Sequence, residues 1–212
     1  MDKFIQGSTV WPEGITKMHL YLVPDLEVNK ELASLVRDCR AVIDRYPGIQ
    51  IVPDPWLKAT LQLITGVTGA QVNASTREAL SDALAAALAE LEPFTLSVGP
   101  ALAGATGVAL DLDQDLPGQR LYECYERVRA AIVSVLGDGA VEYSALPPHL
   151  TLGYGLESFD SGVVQEALRR QVRPGRAAWL LDEIWLVEVT QDVVHNQYRW
   201  LAPAHRIRLG GR

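Results

Sequence analysis

The chain has 212 residues, of which 48% are hydrophobic and 21% are charged, and its formal net charge is −7. This composition is ordinary for a globular protein with a sizeable core, and no apolar run approaches the roughly 18 residues that a membrane-spanning helix needs. The acidic balance disfavours binding to long nucleic acid, which usually requires a basic domain, and favours a small ligand.

The N-terminal residues lack the basic-then-apolar layout of a signal peptide, so we expect a cytoplasmic protein without a membrane anchor. Cys39 and Cys124 are the only cysteines. Two isolated thiols at this spacing form neither a disulfide framework nor a metal site. Both lie in helical patterns, so we expect both to be packed in the core.

Hydrophobic spacing and chain breakers predict an N-terminal arm followed by a mixture of strands and helices. The predicted strands cover residues 18–23, 49–52, 56–63, 94–98, 107–112, 149–154, 178–189 and 198–209. The predicted helices cover residues 29–45, 73–91, 116–136 and 159–172. Strands and helices do not alternate strictly, and no glycine-rich nucleotide-binding motif is present, which disfavours a doubly wound fold. An α+β fold is predicted, and since no flexible linker divides the chain, we expect a single domain over residues 1–212.

Residues 147–154, with the sequence PPHLTLGY, alternate in polarity after a proline pair, as a half-buried strand does. Residues two apart in a strand lie side by side, so His149 and Thr151 are predicted to face the same space, with Gly153 beside them and Tyr154 on the opposite face. An imidazole exchanges a proton near neutral pH, and a hydroxyl donates a hydrogen bond to an anionic oxygen. Together these groups suit one end of a phosphate.

An altered copy of this pattern lies in the first half of the chain. Residues 56–63, with the sequence WLKATLQL, also follow prolines and also alternate. Lys58, Thr60 and Gln62 are predicted to share one face. Two copies of the pattern His/Lys-x-Thr-Leu, one in each half, suggest a duplicated fold with a cleft between the halves.

The two motifs together resemble those of the 2H phosphoesterase superfamily, the group of the 2′–5′ RNA ligase-like proteins and cyclic nucleotide phosphodiesterases. That superfamily carries two His-x-Thr/Ser motifs that face each other across a cleft. His149 and Thr151 match in full, and Thr60 matches with its flanks, but Lys58 stands where the superfamily has its first histidine. The resemblance covers most of the chain.

The resemblance implies a bilobal α+β fold, with two pseudo-symmetric lobes of antiparallel sheet and flanking helices around a central cleft. It also implies an enzyme without metal or cofactor that acts on a small phosphorylated or nucleotide-like substrate, through a cyclic phosphodiester or a 2′–5′ linkage. In such a site one imidazole takes a proton from water or a 2′-hydroxyl, and the other protonates the leaving oxygen. The hydroxyls of the two motifs hold the non-bridging phosphate oxygens.

Lys58 leaves three hypotheses open, because a free lysine has a pKa near 10.4 and is a poor base unless burial or a neighbouring cation lowers that value. In the first hypothesis Lys58 replaces the histidine as an acid or as a positive charge that holds the substrate. In the second the site still binds its ligand but has lost catalysis. In the third the fold performs different chemistry on another anionic substrate, including chemistry at the lysine amine. An introduced substitution is a further explanation. If the site is otherwise an intact two-histidine site, Lys58→His is expected to raise hydrolysis of a 2′,3′-cyclic nucleotide by creating a base. If the lysine charge instead holds an anionic ligand, the same change is expected to weaken binding, most of all above pH 7.

Five further residues are candidates for substrate binding. His19 and Tyr21 share a face of the first strand, which in the superfamily lies beside the cleft; the alternative is a polar pair at a sheet surface. Gln62 follows the first motif on its predicted face. Tyr198 and Arg199 offer a stacking ring and a cation, although their stretch also has the alternation of an ordinary strand.

Overall fold

The computed structural model describes residues 1–112, 119–142 and 147–211. In chain order its elements are β1 (Thr16–Leu22), α1 (Lys30–Ile43), β2 (Ile49–Ile51), β3 (Ala59–Leu63), α2 (Ala74–Leu88), β4 (Phe94–Val98), β5 (Ala101–Ala103), β6 (Gly107–Asp111), α3 (Arg120–Leu136), β7 (His149–Gly155), α4 (Ser161–Gln171), β8 (Ala177–Leu181), β9 (Glu183–Asp192) and β10 (Gln197–Arg208).

Within these ranges, eight strands form one antiparallel sheet in the order β10-β9-β1-β3-β7-β6-β5, with β2 paired to β7 beside this path. Strands β3 and β7 join its two halves through a single residue pair, Ala59 with Leu150. One half contains β10, β9, β1 and β3, and the other contains β7, β6, β5 and β2. The predicted α+β fold with two halves of antiparallel sheet and flanking helices is therefore confirmed.

The two faces of the sheet pack differently because the strands alternate. In β1, Met18, Leu20 and Leu22 are buried in the main core together with the apolar faces of the four helices. His19 and Tyr21 lie on the other face, as alternation predicted, and Tyr21 packs there in a smaller cluster of aromatic and aliphatic side chains. The helices thus cover one face of the sheet and leave part of the other face open for a site.

Both cysteines lie in the main core, as expected. Cys39 on α1 and Cys124 on α3 are free thiols and are fully buried. Burial raises the pKa of each thiol to about 12, with a smaller contribution from a neighbouring carboxylate in each case. Among the described residues, no helix is both long enough and apolar enough to span a membrane.

Two predicted segments were wrong, and the predicted start of one helix falls outside the described residues. The single strand predicted over residues 178–189 is two strands, because pairing is interrupted at Asp182 and β8 pairs with β4 while β9 pairs with β1. The segment between β4 and β6, predicted as a loop, contains β5. The predicted start of the third helix at Leu116 lies outside the described residues, and α3 begins at Arg120.

Candidate active site

The two motifs meet at the seam between the halves of the sheet. The middle residues of the motifs, Ala59 and Leu150, are paired with each other in antiparallel register, and both are fully buried on the core face. Because the strands are antiparallel, Lys58 lies across from Thr151, whose backbone N–H donates to the Lys58 carbonyl at 3.4 Å. Thr60 correspondingly lies near His149. The motifs are therefore related by an approximate two-fold axis through the central pair.

Each motif strand contains a β-bulge directly after its threonine. Tyr21 pairs with Thr60 and Leu20 with Gln62, so that the residue between, Leu61, is extra. In the same way Ala109 pairs with Thr151 and Val108 with Gly153, so that Leu152 is extra. A bulge adds one residue and so reverses the face on which the following side chains lie. The approximate two-fold symmetry thus extends to the backbone irregularities.

The bulges overturn two expectations from simple alternation. Gln62, predicted beside Lys58 and Thr60, pairs with the core residue Leu20 and is fully buried away from the cavity. Tyr154, predicted to face away from His149, instead lines the cavity. The prediction of these two faces was wrong because an extra residue in a strand shifts its period by one.

A cavity of about 510 Å³ lies over the motifs. It brings together seven of the residues that the sequence had singled out: Lys58, Thr60, His149, Thr151, His19, Tyr21 and Tyr198. Arg199 is not among the lining residues. Its guanidinium pairs with Asp192 at 3.0 Å and lies 6.0 Å from the ring centroid of Trp56, because residues 198 and 199 alternate across β10. The expectation that Arg199 and Tyr198 both face the ligand was therefore wrong for Arg199.

Lys58 is buried in an aromatic setting, with only 4% of its surface exposed. Its Nζ donates to the Tyr154 hydroxyl at 3.2 Å and to the Trp56 carbonyl at 3.4 Å. It also lies over the rings of Tyr21 and Tyr154, 5.7 and 5.6 Å from their centroids. Burial lowers the pKa of Lys58 to about 7, because removal from water disfavours the charged amine. The amine is consequently able to take up and release a proton near neutral pH, as the missing histidine would.

His149 is the exposed partner in this pair of motifs. Its Nδ1 lies 3.2 Å from the carbonyl oxygen of Pro147, and since a carbonyl only accepts, Nδ1 carries the hydrogen in this contact. Nε2 is then the nitrogen that exchanges a proton with a ligand. Asp111 also lines the cavity and lies directly across from His149 in the β6–β7 register.

His19 and Tyr21 form a buried polar pair in the cavity wall. The His19 Nδ1 and the Tyr21 hydroxyl are 2.7 Å apart. Burial, and secondarily the charges of Lys58 and Lys17, lower the pKa of His19 to about 3, and burial raises the pKa of Tyr21 well above 10. Both side chains are therefore neutral at physiological pH. They can hydrogen-bond a ligand, but they are not suited to transferring a proton to it.

Aromatic residues of the N-terminal arm complete one end of the cavity. Phe4 stacks on Tyr154, with ring centroids 4.0 Å apart, and meets Tyr198 edge-on at 5.7 Å. Trp11 contacts His19 and Tyr198 at 6.0 and 5.3 Å. Sequence reasoning assigned this arm no role in the site, although aromatic residues among glycine and proline were a signal that it packs against something.

The remaining lysine of the cavity, Lys17 on β1, was also missed. Its Nζ lies over the Trp11 ring at 5.6 Å and donates to the Thr65 carbonyl at 3.4 Å. Its alternation with His19 was visible in the sequence. Lys17 adds a second amine to the wall and so favours an anionic ligand.

The arrangement combines two groups that can transfer protons, Lys58 and His149, with two hydroxyls that can donate hydrogen bonds to an oxyanion, those of Thr60 and Thr151. Burial raises the pKa of the Tyr154 hydroxyl above its ordinary range, although a hydrogen bond with Thr151 acts in the opposite direction. Within the described ranges, no three His, Cys, Asp or Glu side chains are grouped so as to hold a metal ion. The chemistry that the described side chains offer is acid–base chemistry on a bound anion.

Neither a protein-family model nor a curated protein sequence matches this chain. Solved structures do match it. The protein TT0787 of Thermus thermophilus is 17% identical, with 92% of this chain and 98% of that chain covered and a TM-score of 0.62. E. coli LigT complexed with ATP is 16% identical, and LigT complexed with 3′-AMP is 18% identical; each covers 92% of this chain and 98% of LigT with a TM-score of 0.59. The chain therefore has the fold of LigT and of the 2H phosphoesterases, as its two motifs predicted.

Proposed function

We propose that this chain is a metal-independent phosphoesterase that hydrolyses a cyclic phosphodiester or a 2′–5′ linkage in a small nucleotide-like substrate. The observation that carries this proposal is the pairing of Ala59 with Leu150, because it sets Lys58 and His149 on the wall of one cavity. Solved structures of LigT, which shares the fold, contain phosphate and 3′-AMP, and these molecules support the class of substrate. A cytoplasmic location and a preference for small ligands over long nucleic acid stay predictions from the sequence.

In the proposed reaction Lys58 is the proton acceptor. With a pKa of about 7, roughly half of its amines are neutral at pH 7 and carry a free electron pair. The amine takes a proton from water, or from the free 3′-hydroxyl beside a 2′–5′ linkage, as that oxygen attacks phosphorus. The Tyr154 hydroxyl, 3.2 Å from Nζ, accepts a hydrogen bond from the resulting ammonium group and holds it in place.

His149 is the proton donor to the leaving oxygen. Its contact with the Pro147 carbonyl fixes Nδ1 and leaves Nε2 to carry the transferred proton. Thr60 and Thr151 donate hydrogen bonds to the non-bridging oxygens, on which negative charge accumulates in the transition state. Lys17, which also lines the cavity, supplies positive charge that favours an anionic substrate.

The proposal is tested by incubating the protein with 2′,3′-cyclic nucleotides and with 2′–5′-linked dinucleotides in the presence of a metal chelator and separating the products by chromatography. We expect turnover of at least one substrate, and a loss of about 10²–10⁴-fold in His149→Ala, the range typical of a general acid. The matched control is His205→Ala, since His205 is exposed on β10 and does not line the cavity.

Binding without turnover would favour the alternative that the fold holds an anionic ligand and serves other chemistry. Activity that disappears with the chelator, or that survives in a folded His149→Ala variant, would contradict the proposed mechanism.

A further inference from the structure

The Lys58 amine has a setting that a phosphate clamp does not require. A lysine that only attracts a phosphate acts through its charge, as a compact and strongly hydrated ammonium group. Lys58 is instead 4% exposed and held among aromatic rings. Within the described part of the chain it forms no ion pair. Nothing described therefore neutralises its charge, and the structure favours the uncharged amine.

The cavity has a second amine that provides a comparison. Lys17 lies on the same wall but is only partly buried, with its Nζ near the Thr65 carbonyl and the Trp11 ring. A buried, neutral amine is a nucleophile, whereas a solvated ammonium has no free electron pair. The two lysines thus share one cavity and differ in burial, since Lys58 is held among aromatic rings and Lys17 is partly exposed.

The surroundings of Lys58 also suit the other participants of an amine reaction. The titratable groups that line the cavity with it are Lys17, His19, Tyr21, Asp111, His149, Tyr154 and Tyr198. Among them, Tyr154 is hydrogen-bonded to Nζ, and His149 offers a ring nitrogen on the opposite motif. Thr60 and Thr151 line the same cavity, and their hydroxyls are suited to an anionic substituent.

We propose that Lys58 is a nucleophile that forms an imine with a small aldehyde or ketone whose phosphate or other anionic group is held by Thr60 and Thr151. The nitrogen electron pair of the neutral amine bonds to the carbonyl carbon, and the carbonyl oxygen takes up a proton to give a carbinolamine. The nitrogen loses one proton, the hydroxyl is protonated by His149 and leaves as water, and loss of the second nitrogen proton gives the imine. One water is released, and nothing is oxidised or reduced.

This activity goes beyond phosphate ester hydrolysis, because a carbon–nitrogen bond is formed and the phosphate serves only to bind the substrate. The same cavity could carry either reaction, and each can fail without the other. A buried amine of lowered pKa is a recognised way to prepare a lysine for imine formation, and the pKa of about 7 caused by burial supports this use of Lys58.

The test uses pyridoxal 5′-phosphate as a phosphorylated aldehyde probe, with pyridoxal as its uncharged counterpart. The full-length protein is incubated with each probe, any imine is reduced with borohydride, and the modified lysines are identified by peptide mass spectrometry. We expect the phosphorylated probe to modify Lys58 before Lys17 and before the exposed Lys30 on α1. Inorganic phosphate should slow the reaction, and pyridoxal should react more slowly.

The pH dependence separates Lys58 from ordinary lysines. Between pH 7 and pH 9 the neutral fraction of a lysine with the reference pKa of about 10.4 rises about 100-fold. The neutral fraction of Lys58 rises only about twofold over the same range. Labelling of Lys58 should thus be nearly constant across this range, while labelling of the other lysines increases steeply.

Two variants complete the design. Lys58→Arg should abolish the specific label, and Lys30→Arg, a change on an exposed helix, should leave it intact. The wild-type labelling pattern alone decides the proposal if Lys58→Arg does not fold. Label that is absent from Lys58, or that appears there no faster than at Lys17 and Lys30, overturns the proposal. Such a result leaves the phosphoesterase assay to be judged by itself, and label at Lys58 without hydrolysis supports imine chemistry alone.

Discussion

Replacing Lys58 by arginine gives the sharpest test of how the site works. A guanidinium keeps the positive charge but stays protonated at any working pH, so it cannot accept a proton. Lys58, with a pKa of about 7, is about half neutral at pH 7. If its neutral amine is the base, Lys58→Arg should lower kcat/KM by about 10²–10⁴-fold. If only the charge matters, the same variant should retain most of the activity.

Lys58→His provides the complementary measurement. On the reference lysine pKa of about 10.4, a histidine here would increase the neutral fraction at pH 7 by about 10³-fold, which is why the sequence alone predicts a large gain. Burial removes most of that advantage, because about half of the buried amine is already neutral at pH 7 and a fully neutral imidazole would at most double that fraction. We therefore expect rates within about threefold of the original protein.

The assay is hydrolysis of a 2′,3′-cyclic nucleotide, with kcat/KM measured from about pH 5.5 to pH 9. In the unaltered protein the neutral fraction of Lys58 rises from about 9% at pH 6 to about 91% at pH 8, so the rate should rise about tenfold until the acid becomes limiting. Lys30→Arg controls for a surface change. A wild-type rate that is flat between these pH values, or full activity in Lys58→Arg, would refute the assignment of Lys58 as the base.

Three further results are expected. Tyr154→Phe removes a hydrogen-bond acceptor from the Lys58 ammonium, so the acidic limb of the pH–rate profile should move to lower pH; movement to higher pH would contradict the assigned contact. The pKa of His19 is about 3 in the folded chain and about 6.5 when unfolded, so the unfolded state binds more protons between these values. Stability should be fully present above about pH 6.5 and should fall below it by up to about 1.4 kcal/mol per pH unit, and urea denaturation from pH 7 to 4 should show a shallower loss in His19→Gln. Gly153→Ala places a Cβ 2.7 Å from an isoleucine methyl group and should cost about 1–3 kcal/mol, whereas Gly139→Ala, with nothing within 4 Å, should change the free energy of unfolding little; equal effects in thermal denaturation would count against the packing described.

The sequence predicted which side chains face the site only up to the bulge in each motif strand, where strict alternation ends. The alternate motif residues Lys58, Thr60, His149 and Thr151 line one cavity, whereas Ala59 and Leu150 between them are buried in the core, as alternation predicts. Beyond each threonine the prediction failed, because a β-bulge is set by pairing with a neighbouring strand. Gln62 therefore lies outside the predicted site. Beyond the bulge in β7, Tyr154 lines the cavity although alternation placed it on the other face.

The burial of Lys58 was also beyond local reasoning. Its exposure depends on Tyr21 from β1, on Tyr154 from β7 and on the arm that brings Phe4 against that tyrosine. These contacts join residues far apart in the chain, and a local pattern carries no information about them. The pKa that decides between a clamp and a base is thus a property of the tertiary fold.

The approximate two-fold axis through Ala59 and Leu150 has a consequence for the direction in which a substrate enters. A truly symmetric site would accept a phosphodiester equally well in either direction, with its two ester oxygens exchanged. Here the equivalent positions hold Lys58 and His149 in the motifs, and Leu63 and Tyr154 after the bulges. One end of the cavity is buried and aromatic, and the other is exposed and carries the imidazole. The approximate symmetry brings both motifs to one cavity, and its loss at these two pairs of positions makes the two ends of the cavity chemically different. Under the proposed function a phosphodiester therefore binds in one direction only.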